Sequence, residues 1–171
     1  MTKSFEEQTA EAVTKAQLLN ADVLSMNDEE LEKHPMRGVF HLAHNMFKTY
    51  HIVNDIGIAA AVHDAKNDKE KGGNSLEGLD SVKKVLSALG EEKVTITAEM
   101  QKDYQELKAA VYDTHVLGVG KNMKEKTATV MKNAVRVATS LISQAFNLTG
   151  ESLKLAGNLV KLAPICWICS R

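Results

Sequence analysis

The sequence predicts an all-α fold: a bundle of four or five helices with a long heptad-patterned C-terminal helix. Three observations carry this. Apolar residues recur at three- and four-residue steps along most of the 171-residue chain. Only two prolines interrupt it, so long helices can run unbroken. The one strand-like run, EEKVTIT at Glu91–Thr97, is too short and isolated to build a sheet. With 44% apolar and 25% charged residues, the chain is expected to form a single domain over 1–171. Aromatics make up only 5%, which leaves Ala, Leu, Val and Met to fill the core.

A first helix is expected from Phe5 to about Asn20, reaching towards Leu24. Ser4 and Glu7 have the spacing of a capping box, in which each side chain satisfies a free backbone N–H of the other residue. Asn27 heads a short turn through DEELEK, which His34-Pro35 ends, because proline disfavours a helical residue before it. A second long helix follows over Met36–Lys66, with Gly57 inside it as the mark of a kink or of a close helix crossing. Asn67–Ser75, NDKEKGGNS, reads as a polar, mobile loop. Ser75 is placed to cap a third helix, LEGLDSVKKVLSAL, which Gly90 stops. Thr97 caps a fourth through about Leu117, with Met100, Tyr104, Leu107 and Val111 as its apolar stripe. GVG at Gly118–Gly120 breaks it.

The last helix has the strongest pattern. Met131, Ala134, Ala138, Leu141, Ala145, Leu148, Ser152, Leu155, Leu159 and Leu162 alternate steps of three and four, a near-continuous heptad seam. This seam is the expected association element, within the bundle or between chains. The partner is then a protein or a second copy of the chain. No repeat of 20–50 residues is visible.

Charge is uneven along the chain. The net charge of −1 divides into −5 over Met1–Pro35, −2 over Met36–Gly120 and +6 over Lys121–Arg171. A basic end favours an anionic partner. LKLAGNLVKLAPICWIC adds two lysines, Lys154 and Lys161, and Trp167, a residue suited to the lipid headgroup zone. It resembles an interfacial amphipathic helix more than a membrane span. Cys166 and Cys169 would be acylation targets on such a segment, while the apolar tail 164–171 reads equally well as part of the core. CWIC also has the spacing of a redox motif but lacks the βαβ setting that goes with one. Lys132, Arg136, Lys154 and Lys161 are too sparse for a nucleic-acid interface, and no recognition motif accompanies them.

Candidate chemistry gathers in HLAHNMFKTYHIVND, His41–Asp55. At 100° per residue, His41, His44, His51 and Asp55 share about a quarter of the helix circumference, with Lys48 among them. Val39, Leu42, Met46, Tyr50 and Val53 gather on the other side. His51 lies about two turns beyond His44, too far to share one ion without bending. The H-E-x-x-H and paired Glu-x-x-His metal patterns are absent. The bland reading is therefore a solvated face, or one packed against a polar side of another helix. A middle reading is pH sensitivity, because three imidazoles and Lys48 on one face would repel one another once protonated; Asp113 and His115 brought against His44 would revive a metal site. DTHVLGVGK, Asp113–Lys121, lacks the spacing and the preceding strand of a phosphate loop.

The sequence thus leads to a non-enzymatic, helical interaction or self-assembling protein without a cofactor, able to associate with membrane surfaces through its basic C-terminal helix. The alternatives are a membrane-active secreted effector or toxin-like subunit, and a metal-binding protein or metalloenzyme using the histidine face. No signal peptide opens the chain and both cysteines lie near its end. A cytoplasmic location is the default expectation, with peripheral membrane attachment or export without a classical signal peptide beside it.

Overall fold

The structure, a computed structural model, describes residues 2–24, 35–90, 94–112 and 123–145, with side chains over 2–21, 44–90, 94–112, 130 and 132–142. Five helices and no strand lie among them: α1 Phe5–Leu24, α2 Pro35–Lys71, α3 Glu77–Ala88, α4 Ala98–Val111 and α5 Met123–Ala145. The fold is all-α. Val94–Thr97, the described part of the strand-like run, is irregular backbone.

Local signals set several helix ends. Glu7 N–H donates to Ser4 Oγ at 3.1 Å and Ser4 N–H to Glu7 Oε2 at 2.8 Å, the expected capping box of α1. Thr97 Oγ1 accepts from Met100 N–H at 3.2 Å, and Thr97 N–H reaches Met100 Sδ at 3.3 Å, so α4 starts on a box closed by sulfur. Proline at the first position of α2 loses nothing, because its missing N–H would have had no partner within the helix.

Helix α2, 37 residues long, packs against each of the other four helices. Helix α1 also meets α3, and α4 meets α5. The core is aliphatic, as the composition required. Val53, Ala60 and Ala61 of α2 are fully buried with Val82, Val85 and Leu86 of α3, and with Met100, Tyr104, Leu107 and Val111 of α4. From α5 come Val130, Ala134, Val137, Ala138 and Leu141. Each fully buried Leu or Val contributes about 1.5–3 kcal/mol.

A buried polar knot joins α2, α3 and α4. Asp64 is wholly buried, yet its carboxylate is saturated: Oδ2 accepts from Tyr104 Oη at 2.6 Å, Oδ1 from Ser75 Oγ at 3.1 Å, and both from Gly78 N–H at 3.0–3.1 Å. The first turn of α3 is therefore capped by an acid from a different helix, where negative charge meets free N–H groups. Ser75 does not cap α3 directly as the sequence suggested. Leu76 holds the cap position without a side-chain bond, and Ser75 Oγ lies 3.5 Å from Glu77 N. Beside Asp64, buried Lys108 donates to Asp68 at 2.7 Å, to Asn74 Oδ1 at 2.7 Å and to the Ser75 carbonyl at 2.9 Å. Burial alone would raise the Asp68 carboxyl, but Lys108 and the Ser75 N–H outweigh it and hold it below the usual carboxylate range.

Two boundaries differ from the sequence reading. Helix α2 continues to Lys71, so most of the expected 67–75 loop is helical. The chain turns at Gly72 (φ 69°) and Gly73 (φ 129°), and Asn74 and Ser75 are tied to the knot. The close helix crossing also falls elsewhere. A Cβ on buried Gly57 would meet nothing within 4 Å, and α2 passes through it as one helix. Gly78 is the glycine that crowding demands. A Cβ there would stand 2.5 Å from Tyr104 Oη, 2.7 Å from Ala60 Cβ and 2.8 Å from the Ala60 carbonyl oxygen.

Ion pairs fasten the outer helices. Arg136 of α5 bonds Glu106 and lies 3.5 Å from Asp103 on α4. Phe5 stacks on His63, ring centroids 4.3 Å apart, and Asn67 bonds the same imidazole at 3.1 Å.

Candidate binding groove

Where α1 and α2 run side by side they leave a groove of about 830 Å³. Its geometry follows from helical period. On α1, Gln8, Glu11, Ala12, Lys15, Leu18 and Leu19 fall at steps of three and four and share one face. On α2 the same spacing joins His44, Phe47, Lys48, His51, Ile52, Asp55, Ile56 and Ala59. Ala12, Leu19, Phe47, Ile52, Ile56 and Ala59 form an apolar floor, and Leu18, 67% exposed, stands at the edge. Among the described residues Leu18 is the one large hydrophobic side chain so exposed.

The rim is charged. Glu11 bonds Lys3 and lies 2.9 Å from Lys15; those two lysines hold its carboxyl at about 2, so its charge is already answered. On the opposite wall Lys48 is exposed and makes no ion pair among the described residues. His44 is exposed, and half-buried His51 meets the Phe47 ring at 4.3 Å and 78°. Loss of water around Asp55 raises its carboxyl, against the pull of His51 and Lys15; its exposed position on the rim limits that shift.

The histidine stripe therefore borders a solvent-open groove, and among the described residues no second helix brings metal ligands to it. Its described members, His44, His51 and Asp55, form one wall of the groove, opposite Gln8, Glu11 and Lys15. The side chains of His41 and of Asp113 and His115 lie outside the described residues. Among those that are described, no three His, Cys, Asp or Glu side chains gather as metal ligands.

No family model, curated protein or solved structure matches the chain.

The heptad seam divides. Ala134, Ala138 and Leu141 are buried in the bundle, packed in the α2–α4–α5 core. Met131 and Ala145 lie on α5 without described side chains. Leu148, Leu155, Leu159, Leu162, Lys154, Lys161, Cys166, Trp167 and Cys169 lie outside the described residues. No helix among the described residues is long and apolar enough to cross a membrane.

Sequence reasoning found the polar wall of the groove and missed its floor. At 100° per residue Ile52, Ile56 and Ala59 flank the polar positions of α2 on one side and Phe47 on the other, so the floor extends the core stripe outward. That flanking pattern, with Ala12 and Leu19 of α1, was the available signal.

Proposed function

We propose that the protein acts by binding rather than by catalysis, and that the α1–α2 groove receives one amphipathic helix of a partner protein with carboxylates along its flank. The groove itself carries the reading. Two parallel stripes over an apolar floor match how a helix lays its apolar face into a groove. Exposed Leu18 at the edge is an anchor of the kind such sites present. Charge selects the flank: with Glu11 answered by two lysines, the exposed Lys48 and the imidazoles of His44 and His51 offer one ammonium and two ring nitrogens to a carboxylate, against the single carboxylate of Asp55.

The heptad pattern past Ala145, through Leu148, Leu155, Leu159 and Leu162, is assigned as the chain's own association element, since Ala134, Ala138 and Leu141 already serve the core. Lys154, Lys161 and Trp167 support attachment of that segment to an anionic membrane surface as the second reading. Flotation with anionic vesicles, comparing the full chain with one lacking Pro164–Arg171, separates the two. Loss of flotation on deletion favours the membrane, and concentration-dependent mass without flotation favours self-association.

The groove is tested by fluorescence anisotropy with a labelled amphipathic helix of about five turns, leucines on one face and glutamates on the flank. Leu18→Glu is expected to weaken binding about tenfold, equivalent to ~1.4 kcal/mol, and to leave thermal unfolding unchanged because Leu18 is exposed. Equal binding by wild type and Leu18→Glu would sink the reading.

A further inference from the structure

We infer that the groove is proton-gated: acidification strengthens its hold on a carboxylate-flanked helix. This rests on the reading of the groove as a binding site and adds its regulation.

The charged and titratable groups facing the groove from the described residues are few. From α1 come Glu11 and Lys15, and from α2 His44, Lys48, His51 and Asp55. Glu11 is held at about 2 by Lys3 and Lys15 and so keeps its charge between about pH 7.5 and pH 5.5, a range in which lysine side chains as a class are ammonium. Imidazole is the side chain that takes up protons across this window. His44 and His51 lie two turns apart on the wall that already carries Lys48. Asp55 is raised, so any change it makes is a loss of negative charge, in the same sense. Every protonation at this surface therefore moves it towards positive.

The geometry confines the effect to binding. Both imidazoles sit on the rim rather than in the core, so charging them disturbs no buried contact. His51 has the Phe47 ring beside it at 4.3 Å and Asp55 one turn on. His44 and Lys48, without protein partners among the described residues, are left to a ligand's carboxylates. A glutamate flank stays ionised down to about pH 5, so the two surfaces attract more strongly as pH falls through the imidazole range.

The full-length protein is titrated at about pH 7.5 and about pH 5.5 with two labelled helices, one flanked by glutamates and one in which glutamine replaces each. The glutamate helix is expected to bind about fivefold tighter at the lower pH, the gain of two exposed charge contacts. The glutamine helix should bind equally at both. A His44→Gln/His51→Gln double variant should lose the increase, binding the glutamate helix with one affinity at both pH values. Lys48→Gln should lower affinity for the glutamate helix at both pH values while preserving the increase. A glutamate helix that binds no tighter at low pH overturns the gating, as does a double variant that retains the full increase. If the glutamine helix still binds in a Leu18-dependent way, the groove reading survives that result. If neither helix binds at either pH, groove and gating fall together.

Discussion

Two glycines buried in this bundle should respond to alanine in opposite directions. Gly78 lies in the first turn of α3, where that helix crosses α2. Its new Cβ would stand 2.5 Å from Tyr104 Oη, which could swing away, but also 2.7 Å from Ala60 Cβ and 2.8 Å from the Ala60 carbonyl oxygen, which belong to the rigid backbone of α2. Ordinary contact needs about 3.5 Å or more, so α3 must retreat by most of an ångström. That retreat stretches the Gly78 N–H bonds to Asp64, now 3.0–3.1 Å. Overpacking costs about 1–3 kcal/mol and weakening a bond to a buried carboxylate about 1.5–3 kcal/mol. Against these stands a gain of about 1 kcal/mol from alanine's helix propensity. The net loss is about 1.5–5 kcal/mol, a fall in Tm of roughly 3–20 °C for a chain of this size. Gly57→Ala has no clash to offset the same gain and should raise stability by up to about 1 kcal/mol. Thermal and urea unfolding followed by circular dichroism at neutral pH measure both. Adding Ala60→Gly to Gly78→Ala should recover part of the loss, because it clears the Cβ contact. A Gly78→Ala variant as stable as wild type would refute the crossing geometry.

Asp64→Ala should cost about 3–5 kcal/mol in the same unfolding assay, since it strands the Tyr104 hydroxyl and the Gly78 N–H and opens a void. Tyr50→Phe should leave stability unchanged or raise it by up to about 1 kcal/mol. Among the described residues the buried Tyr50 hydroxyl has no hydrogen-bond partner, and Thr139 beside it donates instead to the Val135 carbonyl at 2.8 Å. Stability should fall as pH drops below about 4. Asp68 binds its proton less readily when folded than when unfolded, so its contribution is complete above the unfolded value and is lost as pH falls through the lower folded one. Lys108→Met should flatten the acid limb of a Tm-against-pH curve. Leu141→Glu should unfold the bundle rather than merely dissociate chains, because the side chain is fully buried in the core; a folded, monomeric Leu141→Glu protein would show otherwise.

What could be read from the sequence was mostly local. The Ser4–Glu7 box, the Thr97 cap and the Met100–Tyr104–Leu107–Val111 stripe depend on residues three or four apart, and each formed where expected. Gly90 ends the turn after α3 at φ 121°, as a glycine at a helix stop should. The knot was hidden because its partners are far apart in sequence. Asp64 sits in VHDAKNDKEK, where it looks like one more solvated acid, yet its partners lie at Ser75, Gly78 and Tyr104. Lys108 likewise occupies a lysine's usual helical position but turns inward to Asp68 and Asn74. Gly57 and Gly78 could not be told apart by composition, because what distinguishes them is the helix on the far side. His44, His51 and Asp55 share one face of α2, but what that face borders depended on α1, whose interleaved polar and apolar residues gave no hint of which helix they would meet.

The distribution of satisfied and unsatisfied polar groups along α2 bears on where a binding site can form. The C-terminal half of α2 carries Asp64 and Asp68, each fully engaged by partners from α4 and from the segment that starts α3. The N-terminal half carries Asn45, Tyr50 and Asn54, which are buried and hold side-chain atoms with no hydrogen-bond partner in the protein. Such groups weaken the packing around them by an amount comparable to the bonds they fail to make. One long helix is thus firmly locked at one end and less stable at the other. The groove runs along the turns that carry these groups, from His44 to Ala59. Sites that adjust to a ligand are drawn from such regions, because ordering them on binding requires that they be loose beforehand. The knot holds α2, α3 and α4 in register, so adjustment at the groove can be confined to α1 and the first turns of α2 without disturbing the core.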